Sequence, residues 1–473
     1  MNSDNVVKAM ENLRGRLPLI VYELNEVPWR VVDWYIKLKP ESNLAGVLQR
    51  SASFTTVTHD NGELHPWTTW PTVHRGVYNS EHNIRFINQD LSSARCFPPI
   101  WETLANSGFK VGVFGSLQSY PVPSSGKYSF YIPDTFARSP ETFPKRYSAF
   151  QRINLRQTAS DGATVSRVKV DGSVISDAIR LPFIGVRPGT FLALASQLKN
   201  ERTNNEYRTR RSLMQAPLAF DVFVNAYNRT RPEFTTFFTN HVAGAMHRYW
   251  RYAFPDDFAE TNVSSSDDFK RGTILKAMDI ADRQIGMLCA LADRDGGSLL
   301  ILSSMGQEAA KRPPYHGELR VVDSDQLAKA IGFIGPVKAN LAMQPDFNFE
   351  FESTIYAEEF LARATRLRDR EGKSIWFRAT REGTSVNLGL GAPKSVLESG
   401  RVYLFNGSHA ATAELSLADI GVSKIYRDPG TGYHQPEGIM IWHGGRQRIQ
   451  DQQRGKIESV RIRDMMLYVV SRA

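Results

Sequence analysis

The sequence predicts an α/β fold on a mostly parallel central sheet. Three observations predict it. Short apolar runs bounded by turn residues recur along the chain, helix-like segments separate them, and the runs end in polar clusters, the pattern of repeated βα units. The 473 residues suffice for one large domain carrying insertions, or for two domains, and either can bury a sizeable core; the single domain with insertions is expected.

Taken in order, "LPLIVYEL" (Leu17 to Leu24) reads as a buried strand ending in Glu23, Asn25 and Glu26. "PIWETLANSGFKVGVFGS" reads as a helix closed by Gly108 and followed at once by the strand "KVGVFG". "EFTTFFTN" is the next strong strand, and it runs into the helix carrying "HVAGAMHRYWRY". A long amphipathic helix, an Asp-Gly-Gly turn and a buried strand follow in "ILKAMDIADRQIGMLCALADRDGGSLLILSSMG". "RVYLF" and "EGIMIW" are the expected late strands. Residues 140–230, with few clean strands, read as a helical cap insertion, and residues 320–400 as a second, α+β insertion. Open α/β sheets place ligands at strand C-terminal ends, so the residues just after these strands carry the chemistry.

Composition bounds the function. Hydrophobic residues at 41% and charged residues at 23% describe an ordinary globular chain and exclude disorder. The net charge of +9 suits anionic partners or a solvated charged face. Nucleic acid is not expected, because no basic block is interleaved with stacking aromatics. Cys96 and Cys289 show no metal or redox spacing and read as reduced thiols. The N-terminus lacks the form of a signal peptide, and no apolar run approaches the roughly 20 residues of a membrane span. A cytoplasmic protein is expected.

The groups at expected strand ends are Glu23/Asn25/Glu26, Thr68/Thr69, Asn240/His241/His247, Ser303/Ser304/Gln307 and His434. With "TWPTVHRGVYNSEHNI", "NHVAGAMHRYW", "SSMGQ" and "GYHQPEGIMI", their order resembles the alkaline phosphatase superfamily, in particular its phosphodiesterase and nucleotide-pyrophosphatase branch. The texts "ELNEVPW", "HPWTTW" and "SSMGQ" also resemble a branch in which "ELNE" follows the first strand. The resemblance implies a three-layer α/β/α sandwich with Thr69 in the nucleophile turn. It covers about two thirds of the chain, the core, and leaves both insertions unaccounted for. The chain departs from the family where Asn25 or Glu23 replaces the first-strand Asp, Ala243 stands four before His247, and Ser304-Met305 replaces Asp-His. At least three ligands of a two-metal site are thereby lost.

The resemblance implies one divalent metal, zinc or manganese, or none: His247 and His434 match the family's positions for one ion, His241 or Asn240 stands in for the lost Asp, and Glu23 and Asn25 are further candidates. His241 and His247 are six apart, about 240° around a helix, so they converge only if His241 precedes the helix. Thr69 is the candidate nucleophile; as a helix N-cap before Trp70-Pro71 it explains the same text. Arg75, Ser304 and Gln307 are candidates for binding substrate oxygens, as is Arg248, and His74 and His82 for packing or capping. Two functions remain open. One is metal-dependent, phosphodiesterase-like or sulfatase-like hydrolysis or transfer on a phosphorylated or sulfated glycan, lipid-linked sugar or nucleotide. The other is a catalytically retired chain that binds an anionic glycan or nucleotide or scaffolds a surface-polysaccharide pathway. Arg208, Arg210 and Arg211 in "NERTNNEYRTRRS" suit a lid over an anionic substrate, or a cap used for homo-oligomer contacts.

Overall fold

The computed structural model of the chain describes residues 11, 13–87, 89–124, 126–158, 172–258, 267–310, 318–340, 346–391, 393–406, 411–425, 430–444 and 454–471. It divides into two compact units: residues 1–310 with 431–473, and residues 311–430.

The first unit is built on an eight-stranded sheet. Its strands are β1 (Leu19–Leu24), β2 (Ala52–Val57), β3 (Val111–Phe114), β4 (Tyr128–Ile132), β5 (Phe234–Thr239) and β6 (Ser298–Leu302), with two later ones. After β7 (Gly306–Ala309) and β8 (Gly432–Gln435), which pair outside this sheet, come β9 (Glu437–His443) and β10 (Lys456–Glu458). The order is β10-β2-β9-β6-β1-β5-β3-β4, and every neighbouring pair is parallel except those made by β9. "LIVYEL" is buried at all six positions because β1 lies between β5 and β6, and a parallel strand covered on both faces needs a continuous apolar run rather than alternation.

The eight helices that matter here are α1 (Pro66–Arg75), α2 (Ser148–Thr158), α3 (Gly172–Arg180), α4 (Pro188–Thr203), α5 (Gln215–Thr230), α6 (His241–Ala253), α7 (Asp268–Asp295) and α8 (Ser459–Val470). Alternate β1 side chains feed two separate cores. Ile20, Tyr22 and Leu24 join Phe223 of α5, Met246 of α6 and Ile285 of α7. Leu19 and Val21 join Trp70 and Val73 of α1 and Ile462 and Val469 of α8. Helices therefore cover both faces, giving three layers. The stretch expected as a cap contributes α5, whose Leu218, Phe220, Phe223 and Tyr227 belong to the first core.

The α7-to-β6 turn shows why glycine is needed. Gly296 caps α7 in the left-handed region at φ 72°, and a Cβ on Gly297 would lie 2.1 Å from the Pro18 carbonyl oxygen.

The second unit has its own core, including Phe349, Phe360, Trp376 and Leu388. It holds a four-stranded antiparallel sheet and smaller ladders. Here "RVYLF" forms the expected strand, Arg401–Phe405, which pairs with 367–368 and Ala411–Ser416 within this unit. The first unit closes behind this excursion through the β7–β8 ladder, where Ala309 faces Gly432 and Gln307 faces His434.

Candidate metal centre at the strand ends

The C-terminal ends of β1, β5 and β6 meet at one place. Asn25 N–H donates to the Thr239 carbonyl, Val27 N–H donates to Ser303 Oγ, and Ser303 Oγ–H donates to the Leu24 carbonyl. Beyond Leu24 the chain turns sharply, and Glu26 adopts φ 60°. Such a conformation in a non-glycine residue costs about 1 kcal/mol or more and clusters at functional sites.

The turn delivers the Glu26 carboxylate to two imidazoles. Its Oε2 lies 2.9 Å from His247 Nε2 on α6 and 3.4 Å from His434 Nε2 on β8. The two rings stand 5.0 Å apart at 80°. Among the described residues these three form the one group of His, Cys, Asp or Glu able to hold a metal, with ligand atoms all within 4.8 Å of one another. Glu26 is buried, and the His247 side chain is 27% exposed, which opens the cluster to solvent. Burial alone would raise the Glu26 pKa, but the facing imidazoles of His434 and His247 hold it well below the usual carboxylate range.

The surrounding groups orient these donors. Asn25 Nδ2 donates to Glu26 Oε1 at 2.7 Å and Gln307 Nε2 donates to Glu26 Oε2. Asn25 also donates to Asn240 Oδ1 and accepts from Trp70 Nε1 at 2.8 Å, so its amide is committed on both sides. His247 Nδ1 lies 3.0 Å from the Gly432 carbonyl, which can only accept, so Nδ1 carries a proton. In the neutral ring Nε2 is then a lone pair aimed at a carboxylate oxygen. Two acceptors at 2.9 Å require a cation, either a second ring proton or a metal. One carboxylate and two imidazoles, with a carbonyl behind one ring and amides behind the carboxylate, is the donor set of a three-ligand catalytic zinc site. The residues present fit one divalent metal.

The other expected site residues divide. Thr69 Oγ1 lies 2.8 Å from Ser304 Oγ, and both residues are fully buried. Thr69 is not the helix N-cap: α1 begins at Pro66 with His65 as N-cap, and Pro71 lies inside the helix. His65 stacks on Trp67 and meets His434 edge-on at 5.8 Å, so the start of α1 adjoins the cluster. Glu23 points to the opposite core and pairs with His74 at 2.7 Å between Trp70 and Trp101. His241 is the first residue of α6, not the residue before it, and its Nε2 faces the Ala277 carbonyl of α7. Burial pushes its pKa down to about 3, keeping it neutral. Arg75 donates to the carbonyls of Ala94 and Phe97, and burial lowers its pKa to about 10. Arg210 donates to the Phe269 carbonyl over that residue's ring, and Arg211 pairs with Glu201, so both are engaged within the helical region. Sequence reading placed Glu26 with Glu23 and Asn25 at the end of the first strand but did not choose it as a ligand; that position in "ELNE" was its signal.

No protein-family profile matches the chain, and no curated protein matches it. Solved structures are similar over nearly the whole length. Phosphonoacetate hydrolase from Sinorhizobium meliloti, in complex with phosphonoformate, is 13% identical over 96% of this chain and 95% of its own, with a TM-score of 0.42. A murine ectonucleotide pyrophosphatase/phosphodiesterase is 11% identical over 96% and 95%, with a TM-score of 0.41. Alkaline phosphatase from Thermus thermophilus is 12% identical over 99% and 95%, with a TM-score of 0.42. At these identities and scores, what the site can do rests on its own residues.

Proposed function

We propose that this chain is a single-metal hydrolase or transferase of phosphoryl or sulfuryl esters, with Glu26, His247 and His434 as the ligands and zinc or manganese as the ion. The observation that carries the reading is the convergence of two imidazoles on the carboxylate of a Glu26 held in the left-handed region. A bound divalent ion supplies Lewis acidity and lowers the pKa of a coordinated oxygen nucleophile.

The chain's own residues supply the rest. Asn25 and Gln307 hold the carboxylate through one amide N–H on each oxygen. Thr69 is the proposed nucleophile, its hydroxyl oriented by the 2.8 Å contact with Ser304 Oγ. Both N–H groups of Gln307 are given to Glu26 Oε2 and the Ala243 carbonyl, and its Oε1, buried without a hydrogen-bond partner among the described residues, is an acceptor open to a substrate hydroxyl. The proposed substrates are phosphorylated or sulfated glycans, lipid-linked sugars or nucleotides, to which a net charge of +9 is suited. The free thiols of Cys96 and Cys289 support a cytoplasmic setting, and among the described residues no helix is long and apolar enough to cross a membrane.

A second reading, a chain that binds an anionic ligand without turnover, is favoured by the complete burial of Thr69 and Ser304 against each other. Two measurements separate the readings: zinc or manganese content by mass spectrometry, and turnover of activated aryl phosphodiesters and aryl sulfates. The enzyme reading expects about one equivalent of metal and loss of turnover in Thr69→Ala. Less than about 0.2 equivalent of metal, with activity unchanged in Thr69→Ala, sinks it; anion-dependent thermal stabilisation without turnover selects the binder.

A further inference from the structure

We propose that the outer face of α3, α4 and the turn between them docks onto an anionic lipid bilayer. This stands whether or not the metal site turns over. Beside Phe191, which packs against the first core, α4 turns polar side chains inward. Its buried residues are Thr190, Gln197 and Glu201, while Leu192 is 71% and Leu198 55% exposed. The buried polar groups are satisfied: Thr190 Oγ1 donates to Asp221, Gln197 Nε2 to Glu201 and to the Tyr207 carbonyl, and Glu201 pairs with Arg211. The inward face thus carries a hydrogen-bonded seam, and among the described residues no core takes in Leu192 or Leu198.

The preceding turn repeats the pattern. Helical backbone continues from α3 through Arg180 into the short 3-10 turn Leu181–Ile184. Ile179 and Phe183 are four residues apart and share one face, 65% and 78% exposed. The corner behind them is fixed. Gly185, in the left-handed region, lies so close to Asn225 that a Cβ would come within 2.3 Å of it, and Arg187 is clamped to Asp221 through its backbone and its guanidinium. These apolar side chains are held outward by a rigid support.

Charge selects the occupant. Arg180, Lys199, Arg202 and Arg208 are exposed on the same stretch, and Arg187, also exposed, is paired with Asp221. Of the acids between 176 and 211, Asp177 and Glu201 are buried in pairs with Arg152 and Arg211, leaving Glu206 exposed. A second copy of the chain, meeting the first about a two-fold axis, would set this positive face against itself. Apolar side chains among cations that outnumber the exposed acid of the stretch match the boundary between acyl chains and anionic headgroups.

The test is vesicle flotation of the full chain, with phosphatidylcholine alone or with one third phosphatidylglycerol, at low and high salt. Expected is binding to the phosphatidylglycerol vesicles, weakened by salt. Phe183→Ser with Leu192→Ser should reduce it roughly tenfold or more, with the melting temperature unchanged because both side chains are already exposed. Reversing Arg180, Lys199 and Arg202 to Glu should abolish it. The proposal is overturned if the wild type does not bind, if the serine variant binds equally, or if the wild type forms a dimer that the serine variant loses while neither floats.

Discussion

His247 Nε2 and Glu26 Oε2 stand 2.9 Å apart, while the other nitrogen of the same ring is held 3.0 Å from the Gly432 carbonyl. That carbonyl fixes the tautomer, so the pair is complete only with a cation between ring and carboxylate.

Glu26→Gln tests this directly. The new amide can donate a neutral hydrogen bond to His247 Nε2, so the fold survives without a cation. Loss of an outer-sphere partner typically lowers metal affinity about 10- to 100-fold, and loss of a charged ligand should exceed that. Zinc titration should show affinity reduced by at least about 100-fold, with the metal-free melting temperature kept or raised. Equal affinity in the variant would remove Glu26 from the ligand set.

Asn25 is expected to act as a positioning residue. Its amide ties Glu26 to Asn240 and accepts from the indole of Trp70, all in a buried setting. Asn25→Ala leaves that indole N–H unpaired, at a cost of about 1–3 kcal/mol, and frees the carboxylate. Metal affinity should fall about 10- to 100-fold, and Asn25→Gln should not restore it because the longer side chain misplaces both amide groups. A variant that loses stability but keeps full zinc affinity would reduce Asn25 to a structural role.

The sequence made β1, β3, β5, β6 and β9 legible because each is an apolar run with a clear end, and His247 and His434 through the motif order of the resemblance, one in the helix after a central strand and one in "GYHQPEGIMI". Glu26 was not legible as a ligand: a left-handed turn sends it and Glu23 to different places, and nothing in "ELNE" marks which acid turns. β2, "ASFTTV", and β10, "KIE", were missed because their polar residues and shortness hide them; central-sheet pairing, not propensity, makes them strands. "RVYLF" reads like a core strand in any sheet, so local pattern could not assign it to the second unit.

Acid should destabilise the fold through two buried histidines. Burial, with the charges of Arg75 and Arg85, pushes the His82 pKa down to about 3, and burial does the same to His241. His82 Nδ1 accepts from Ile84 N–H and its Nε2 faces Thr72, leaving no room for a second ring proton. Unfolded histidines take up protons near pH 6.5, so the unfolded state binds more protons below that pH and stability falls as pH drops from about 6.5 toward 3. Asp134 opposes this in part. Burial raises its pKa to about 6, so its contribution grows as pH falls from 6 to about 3.8. Denaturant melts at pH 7, 5.5 and 4.5 should show a falling midpoint, with a shallower fall in His82→Asn and in His241→Gln. An unchanged pH slope in both variants would discard this account.

Gly432 links the backbone to the metal centre, and two alanine substitutions separate that link from plain stability. A Cβ on Gly432 would lie 2.4 Å from the Met246 carbonyl oxygen and 2.7 Å from Gln307 Oε1, so β8 must move away from α6 to admit it. That movement pulls His434 from His247 and withdraws the carbonyl that fixes the His247 tautomer. Gly297→Ala forces a comparable clash, against the Pro18 carbonyl oxygen where β1 and β6 begin, at the opposite end of those strands from the centre. Overpacking of this kind costs about 1–3 kcal/mol, so both variants should melt earlier by similar amounts. Zinc affinity should fall about tenfold or more in Gly432→Ala, as for loss of an outer-sphere partner, and stay within about twofold of wild type in Gly297→Ala, whose strain is remote. If both variants lost affinity in proportion to their stability, the close approach of β8 and α6 would be a packing feature with no part in building the centre.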